Sequence, residues 1–194
     1  MAEPSIRSSV ERTFFGLFSE LPEAAQKELE ARTEPAVYRA ARTASLLGWT
    51  PMTQAVAIRD ALRTVVGDAG FVSLIEAWSI LSITRPPFKL ISDAIFRIYD
   101  RKPLPLLRGY GSVWSAVYRN VGDYELVHAA PNHAIAHVRD PCPQARAPAF
   151  AMYTLGTLAG VVQLGSGFDV QAGHRVRDTQ IEFELRWKGE RDTA

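Results

Sequence analysis

The spacing of hydrophobic residues changes once along this chain of 194 residues, and this change constrains the fold more than any other feature. Up to about Lys102, apolar residues recur at the spacing of one face of an α-helix. Beyond Lys102, short segments alternate apolar and polar residues, as a half-buried β-strand does. Because Pro103 and Pro105 interrupt the helical pattern, we predict a single domain with a helical half (1–102) and a strand-containing half (103–194).

The helical half is predicted to contain six helices. The first carries Val10, Phe14 and Phe18 on one face, opposite Glu11 and Arg12, which we expect to be solvated. The others are a short polar helix ending near Leu29 and helices at 35–47, 51–66, 71–83 and 88–99, with stops at Gly48 and Gly67. Thr50 and Pro51 are typical of an N-cap and a first helical position, and the apolar segment 71–83 is expected to be the most buried helix.

Two predicted hairpins flank one long helix in the second half. Val113–Arg119 and Tyr124–Ala129 are β-type segments around a turn at 120–123, and 168–172 pairs with 176–187 across Gly173. The last segment alternates most clearly, with Ile181, Phe183, Leu185 and Trp187 on one side. We therefore predict an α+β fold in which an antiparallel four-stranded sheet packs against the helix at 147–164 and the N-terminal helices.

Composition and charge exclude several classes of protein. The net charge of +1 provides no general attraction to nucleic acid or anionic membranes, and Arg59, Arg63, Arg97, Arg101, Lys102 and Arg108 are interpreted as solvated helix positions. The N-terminus lacks the pattern of a secretory signal, and one cysteine fits a reducing compartment, so we expect a cytoplasmic protein. The uncharged segment 147–168 is interpreted as a buried helix that packs its glycines against the sheet rather than as a membrane span.

The order of elements resembles a superfamily of small α+β domains. It includes the vinyl-reductase-type ligand-binding domain, the haem–nitric-oxide-binding domain and vesicle-tethering transport-particle subunits. Within it, the chain most resembles a large uncharacterised paralogous family found in myxobacteria. The resemblance rests on Leu47-Gly48, on Leu155-Gly156 with Gly160-Val161, on Gly173 and on Glu-Phe-Glu-Leu-Arg-Trp at 182–187. It implies a domain that binds a small hydrophobic or cofactor-like ligand, or that pairs with a partner to transmit a signal.

Two departures argue against haem bound as in the haem branch of this superfamily, so no cofactor is predicted. The branch supplies its axial histidine from the helical part, whereas residues 1–127 of this chain contain no histidine. The branch also holds the haem propionates with a Tyr-x-Ser-x-Arg motif. Here the matching run is Tyr110-Gly-Ser112-Val-Trp114, with tryptophan in the arginine position.

Cysteine and histidine residues are the other candidates for metal binding or catalysis. His133, His137, Asp140 and Cys142 lie close together in the sequence, but their spacing matches no standard zinc signature, so exposed or packing histidines and no metal are expected. A nucleophilic pair of Cys142 with His137 or His174 needs a contact that the sequence does not show. Transport-particle subunits can carry an acyl chain on a cysteine, but a structural role for Cys142 is favoured.

The aromatic residues point to a ligand site at the junction of helices and sheet. Most of them are interpreted as core, and a minority as the lining of a pocket, because ligand sites are mainly apolar with a few polar groups. Trp78, Tyr99, Tyr110 and Trp114 are the predicted ligand-binding residues. Self-association is also considered, since Phe14, Phe15, Leu17 and Phe18 lie together on the first helix and either meet a second copy or are covered by the third and fourth helices.

The sequence therefore favours a non-enzymatic cytoplasmic module for binding or signalling that forms a homodimer. The alternative is a sensor that takes a hydrophobic small molecule or an acyl chain into a pocket between the helices and the sheet. An enzyme that uses Cys142 or the histidines is the third hypothesis.

Overall fold

The computed structural model describes residues 2–84 and 102–188. The helix predicted at 88–99, with Tyr99, lies outside these residues. The helices are α1 (Ser8–Gly16), α2 (Glu23–Arg32), α3 (Pro35–Thr43), α4 (Met52–Val66), α5 (Asp68–Thr84), α6 (Pro103–Val117) and α7 (Pro148–Ser166). The strands are β1 (Ser5–Arg7), β2 (Trp49–Pro51), β3 (Tyr118–Arg119), β4 (Asp123–Ala130), β5 (His133–Arg139), β6 (Val170–Val176) and β7 (Gln180–Trp187), and short 3-10 turns occupy Leu17–Glu20 and Pro143–Arg146.

The predicted α+β fold with an antiparallel four-stranded sheet is confirmed. The sheet has the strand order β4-β5-β7-β6, and every neighbouring pair is antiparallel. Along β7, Ile181, Phe183 and Leu185 are fully buried, as the alternation predicts, while Glu182 and Glu184 lie on the opposite, outer face. The helix α7 covers the inner face and contacts β6 and β7.

The first hairpin is shifted along the chain from its predicted position. Val113–Val117 is the last part of helix α6, not a strand, and the hairpin is formed by β4 and β5. The reason is burial at helical spacing: Leu107, Tyr110 and Trp114 share one face of α6 and pack into the core. In the second hairpin the turn lies at 177–179, so Gly173 is inside β6.

A second, three-stranded sheet was not predicted because its strands contain only two or three residues. Strand β1 lies in the centre, between β2 and β3, and both pairs are antiparallel. Thr50 and Pro51 belong to β2, and α4 begins at Met52. The N-cap is therefore Pro51 and not Thr50, so the predicted N-cap is wrong by one residue. Helix α3 ends at Thr43, before Gly48, because Ala44 is already extended.

Two glycines bring α7 into close contact with α5. A Cβ atom at Gly156 would lie 2.8 Å from the Ile75 Cβ, and one at Gly160 would lie 2.8 Å from the Glu76 carbonyl oxygen. The prediction that these glycines face the sheet is therefore wrong, since they face a helix. The prediction that 71–83 is the most buried helix is also wrong: among the described side chains, α5 is buried mainly on one face, whereas α7 has 13 buried residues.

Helix α7 is long and apolar enough to cross a membrane by length and composition alone. Its most apolar 18-residue window is 72% buried inside the protein, which is the environment of a core helix. The interpretation of this segment as a buried helix is supported by that packing.

We predict that Gly160→Ala destabilises the protein by about 1–3 kcal/mol, because the added methyl group collides with the α5 backbone. Urea unfolding followed by circular dichroism measures the change. The matched control is Gly16→Ala: Gly16 has helical backbone angles and no atom within 4 Å of its Cβ position, so alanine should raise stability by about 0.4–1 kcal/mol. Equal stability of the two variants would contradict the close contact.

Candidate functional site

A buried ion pair joins the first helix to the fourth. Arg59 of α4 and Glu11 of α1 are 0% and 1% exposed. The Arg59 Nη2 lies 2.6 Å from Glu11 Oε1, and its Nη1 lies 3.0 Å from Oε2, so the guanidinium donates two hydrogen bonds to one carboxylate. The same Nη1 also donates to the Ala55 carbonyl oxygen at 2.9 Å. This bidentate geometry is the strong form of an arginine–carboxylate pair.

Aromatic rings enclose the Arg59 guanidinium. Its Cζ lies 4.0 Å from the centre of the Tyr153 ring and 4.6 Å from that of Phe14. Burial, the largest single influence, lowers the pKa of Arg59, but the Glu11 carboxylate together with the nearby Tyr153 and Tyr118 raises it by more, so the pKa lies above the ordinary arginine value. Arg59 therefore stays charged, and within the described residues its Nε has no hydrogen-bond partner.

The interpretation of Glu11 and Arg59 as solvated residues is wrong. A signal for the true arrangement is present in the sequence. Glu11 precedes Phe14 by three positions, and Arg59 follows Ala55 by four, so both lie on the buried stripes of their helices. Their charge led us to place them in solvent, although opposite charges on two apolar stripes can neutralise each other in a core.

Three of the four predicted ligand residues belong to one connected network of aromatic rings. Trp78 contacts Phe14 and Tyr153 with ring centres 5.7 and 6.0 Å apart, and Tyr153 lies 6.2 Å from Phe150. The network then continues to Trp114 and Tyr110. Further ring contacts join Phe150 to Trp114 and Tyr118, Tyr118 to Trp114, Tyr110 to Trp114, and Tyr124 to both Tyr110 and Trp114.

The predicted ligand residues in this network are buried, and two polar groups of the network are bonded to backbone carbonyls. Trp78 and Tyr110 are each 9% exposed and Trp114 is 3% exposed. The Trp114 Nε1 donates to the Gly122 carbonyl oxygen at 2.7 Å, and the Tyr124 hydroxyl donates to the Leu107 carbonyl oxygen at 3.1 Å. Burial raises the pKa of the Tyr110 hydroxyl well above its ordinary value, so this group stays neutral at physiological pH.

The histidines of β5 lie on the outer face of the four-stranded sheet. His133 Nε2 is 3.0 Å from Glu184 Oε1, and His137 Nε2 is 3.5 Å from Glu182 Oε2. Each imidazole therefore has a carboxylate partner on β7. Within the parts of the chain that the structure describes, no group of three or more histidine, cysteine or acidic side chains is arranged to hold a metal ion. Cys142 is half-buried and packs against the core.

A groove that the sequence did not indicate runs between α5, the end of α7 and the start of β6. It has a volume of about 580 Å³. It is lined by Ser73, Glu76, Ala77, Ile80, Leu81, Gln163, Asp169 and Val170. Burial, and after it the charge of Asp169, raise the pKa of Glu76. The groove thus combines apolar side chains with two neighbouring carboxyl groups.

Comparison with known proteins identifies the fold. No protein-family model and no curated protein matches the chain. Among solved structures, an Fe(II) unliganded H-NOX protein from K. algicida is similar over 97% of this chain and 100% of that chain, with a TM-score of 0.64 and 9% identity. An H-NOX protein from S. oneidensis in the Fe(II)NO state is similar over 95% of this chain and 100% of that chain, with a TM-score of 0.62 and 10% identity.

An oxygen-binding H-NOX domain related to soluble guanylate cyclases is also similar, over 95% of this chain and 96% of that chain, with a TM-score of 0.60 and 12% identity. The chain therefore has the fold of the H-NOX domains. The resemblance to the superfamily that includes the haem–nitric-oxide-binding domain, drawn from the order of elements, is confirmed at the level of the fold.

The residues present do not fit a haem held by a histidine from the helices. All four histidines lie on the strands of the four-stranded sheet: His128 on β4, His133 and His137 on β5, and His174 on β6. Tyr110 and Trp114, at the ends of the motif-like run, are buried on α6, and the Trp114 side chain is bonded to backbone. The four histidines thus lie on strands, and position 114, where the motif of the haem branch has arginine, holds a buried tryptophan.

We predict that Glu11→Leu destabilises the protein by about 3–5 kcal/mol, because it leaves the Arg59 charge buried without a partner. The double variant Glu11→Leu/Arg59→Met should recover most of this loss, since both charges are then replaced by apolar groups. Thermal and urea unfolding measure both effects. As a control, Lys27→Ala removes an exposed ion pair with Glu23 and should cost less than about 1 kcal/mol. A Glu11→Leu variant as stable as this control would contradict the role of the pair.

Proposed function

We propose that this protein is a non-enzymatic, cytoplasmic module for binding and signalling, that it acts as a homodimer, and that it works without haem. The observation that carries the proposal is the Glu11–Arg59 ion pair at the centre of the aromatic network. A fully buried bidentate pair, stacked on Tyr153 and Phe14, is packed core and not an open ligand chamber. Recognition is therefore assigned to the surface of the fold.

The absence of an assembled catalytic group among the described residues is in keeping with this proposal. The His133 and His137 imidazoles are paired with glutamates, and among the described residues the Cys142 thiol is hydrogen-bonded to neither of them. Nucleophilic catalysis needs the nucleophile and its base within hydrogen-bond distance. The part of the chain that the structure describes contains no such pair for Cys142.

The proposed dimer uses an edge of the four-stranded sheet rather than α1. Phe14, Leu17 and Phe18 are buried within the chain, and Phe15 packs against Tyr38 of α3, so the apolar residues of α1 are already covered. Strand β4 has an irregular register at one edge, which disfavours pairing, whereas β6 at the other edge is regular along its whole length. We therefore assign the dimer contact to β6.

A second candidate function is a sensor for a hydrophobic small molecule or an acyl chain. The groove between α5 and β6 favours it, because it lies at a junction of helix and sheet and has an apolar lining with a few polar groups. In that case the ligand site differs from the predicted residues Trp78, Tyr110 and Trp114, which lie in the aromatic network.

Native mass spectrometry of the purified protein tests the main proposal. We expect twice the chain mass of 21.5 kDa with no added mass. Val176→Lys, on the edge strand β6, should shift the dimer to monomer by placing charges in the contact. Val127→Lys on β4 is the matched control, since the two valines are 41% and 40% exposed. A bare monomer would overturn the dimer, and added mass that survives denaturation would point to modification of Cys142.

The sensor is tested in the same protein with Nile red, an uncharged hydrophobic dye. If the groove is a ligand site, the dye should bind saturably, and Ala77→Trp, which fills the groove, should weaken binding about tenfold or more. Val127→Lys is again the control and should leave dye binding unchanged. Dye binding that does not respond to Ala77→Trp would exclude the groove as its site.

A further inference from the structure

Two arginines converge on one tryptophan on the small three-stranded sheet. The Arg7 guanidinium carbon on β1 lies 4.1 Å from the centre of the Trp49 ring on β2, and that of Arg119 on β3 lies 3.8 Å from it. Arg7 and Trp49 face each other directly in the strand register. Both distances are within the range of cation–π attraction, so the indole holds two positive charges next to each other.

Neither guanidinium is neutralised by an acid within residues 2–84 and 102–188. No carboxylate oxygen lies within 4 Å of Arg7 or Arg119 there, whereas Arg139 and Arg186 each pair with a glutamate. The Arg7 Nε donates to the Ala116 carbonyl oxygen in the last turn of α6 at 3.2 Å, which fixes the orientation of the side chain. Its terminal nitrogens, and the guanidinium of the exposed Arg119, remain as donors to an oxyanion.

Two exposed leucines adjoin this charged surface. Leu46 is 52% exposed and Leu47 is 87% exposed, in the turn that leads into β2 and Trp49. The Ser8 backbone N–H donates to the Gly48 carbonyl oxygen at 3.1 Å and ties this turn to the start of α1. The turn that carries these two exposed apolar side chains is therefore bonded to the chain directly after Arg7 and leads directly into Trp49.

We propose that Arg7, Trp49, Arg119 and Leu47 form a docking site for an acidic segment of a protein partner. In it, carboxylate oxygens of the partner accept hydrogen bonds from Arg7 and Arg119, and an apolar side chain of the partner covers Leu47. The assignment follows from charge complementarity, because planar guanidinium groups match carboxylates. It rests on the proposed function as a binding module and names the chemistry of the partner.

A protein partner fits the surface better than nucleic acid does. Proteins that bind single strands stack bases on open aromatic faces. Here the Trp49 ring already carries two guanidinium groups, and the neighbouring exposed side chains are leucines. An acidic peptide with an apolar residue uses both features.

The positive field at Trp49 is tested by fluorescence quenching. Trp49 is half-buried, while Trp78, Trp114 and Trp187 are at most 9% exposed, so soluble quenchers report mainly on Trp49. Iodide, an anion, should quench more strongly than caesium, a cation, and Arg7→Gln/Arg119→Gln should lower the iodide quenching by about half. Arg177→Gln removes a charge on the β6–β7 turn and is the control that should not change it. Equal quenching of wild type and double variant by iodide would overturn the site.

Docking itself is tested by fluorescence polarisation with a short labelled peptide containing Glu-Leu-Leu-Glu. We expect saturable binding that becomes about tenfold weaker in Arg119→Gln and in Leu47→Ser and that weakens as salt is added. Arg177→Gln should bind the peptide as wild type does. Circular dichroism of each variant establishes that it is folded. The Arg119 side chain is exposed and has no hydrogen bond or ion pair among the described residues, so its replacement should leave the fold intact.

Three results would overturn the docking site. One is equal binding of a peptide with Gln-Leu-Leu-Gln, which has no carboxylates. Another is capture of inorganic phosphate without peptide binding, and the third is tighter binding of a single-stranded oligonucleotide than of the acidic peptide. If native mass spectrometry shows a dimer without added mass and the peptide does not bind to it, the docking site is excluded and the proposed function still stands. Non-covalent mass on the purified protein before any peptide is added would instead count against the proposed function.

Discussion

The buried pair of Glu11 and Arg59 makes the positions of three helices depend on one another. A bidentate pair out of solvent tolerates little displacement, because separating its partners leaves two charges without water. Tyr153 of α7 stacks on the same guanidinium, so the central helix is placed relative to α1 and α4 by one side chain. Replacing both charges with well-packed apolar groups can preserve stability, so the buried pair is not by itself evidence of added stability.

The aromatic network extends this dependence from the helices to the sheets. Phe150 and Tyr153 on α7 connect the rings around Arg59 to Trp114 and Tyr118, at the end of α6 and in β3. The hydrogen bond from Trp114 to Gly122 then reaches the turn that begins β4. Because the small sheet contains both β1 and β3, the surface around Trp49 rests on the same packed interior.

Much of the fold could be predicted where one pattern has one physical cause. The alternation along β7 is clear because one face of that strand is fully buried and the other is charged. The prediction of secondary structure failed where tertiary contacts decide it. Val113–Val117 contains strand-forming residues but continues the buried face of α6. Strand β1 is too short to be recognised in the sequence and is defined by its pairing with two strands distant in the chain. Arg59 was misplaced because charge was taken as a sign of exposure, although its helical spacing indicated burial.

A shared fold at 9 to 12% identity fixes the arrangement of helices over a sheet and leaves the contents of the interior to the sequence. Here four histidines lie on the sheet and none lies on a helix, while an arginine neutralised by a glutamate occupies the helical core. A large flat cofactor and a tightly packed ion pair place opposite demands on a core, since one needs an open chamber and the other needs water to be excluded from every side. The side chains that enclose Arg59 meet the second demand, because Tyr153 and Phe14 cover the guanidinium and Glu11 neutralises it.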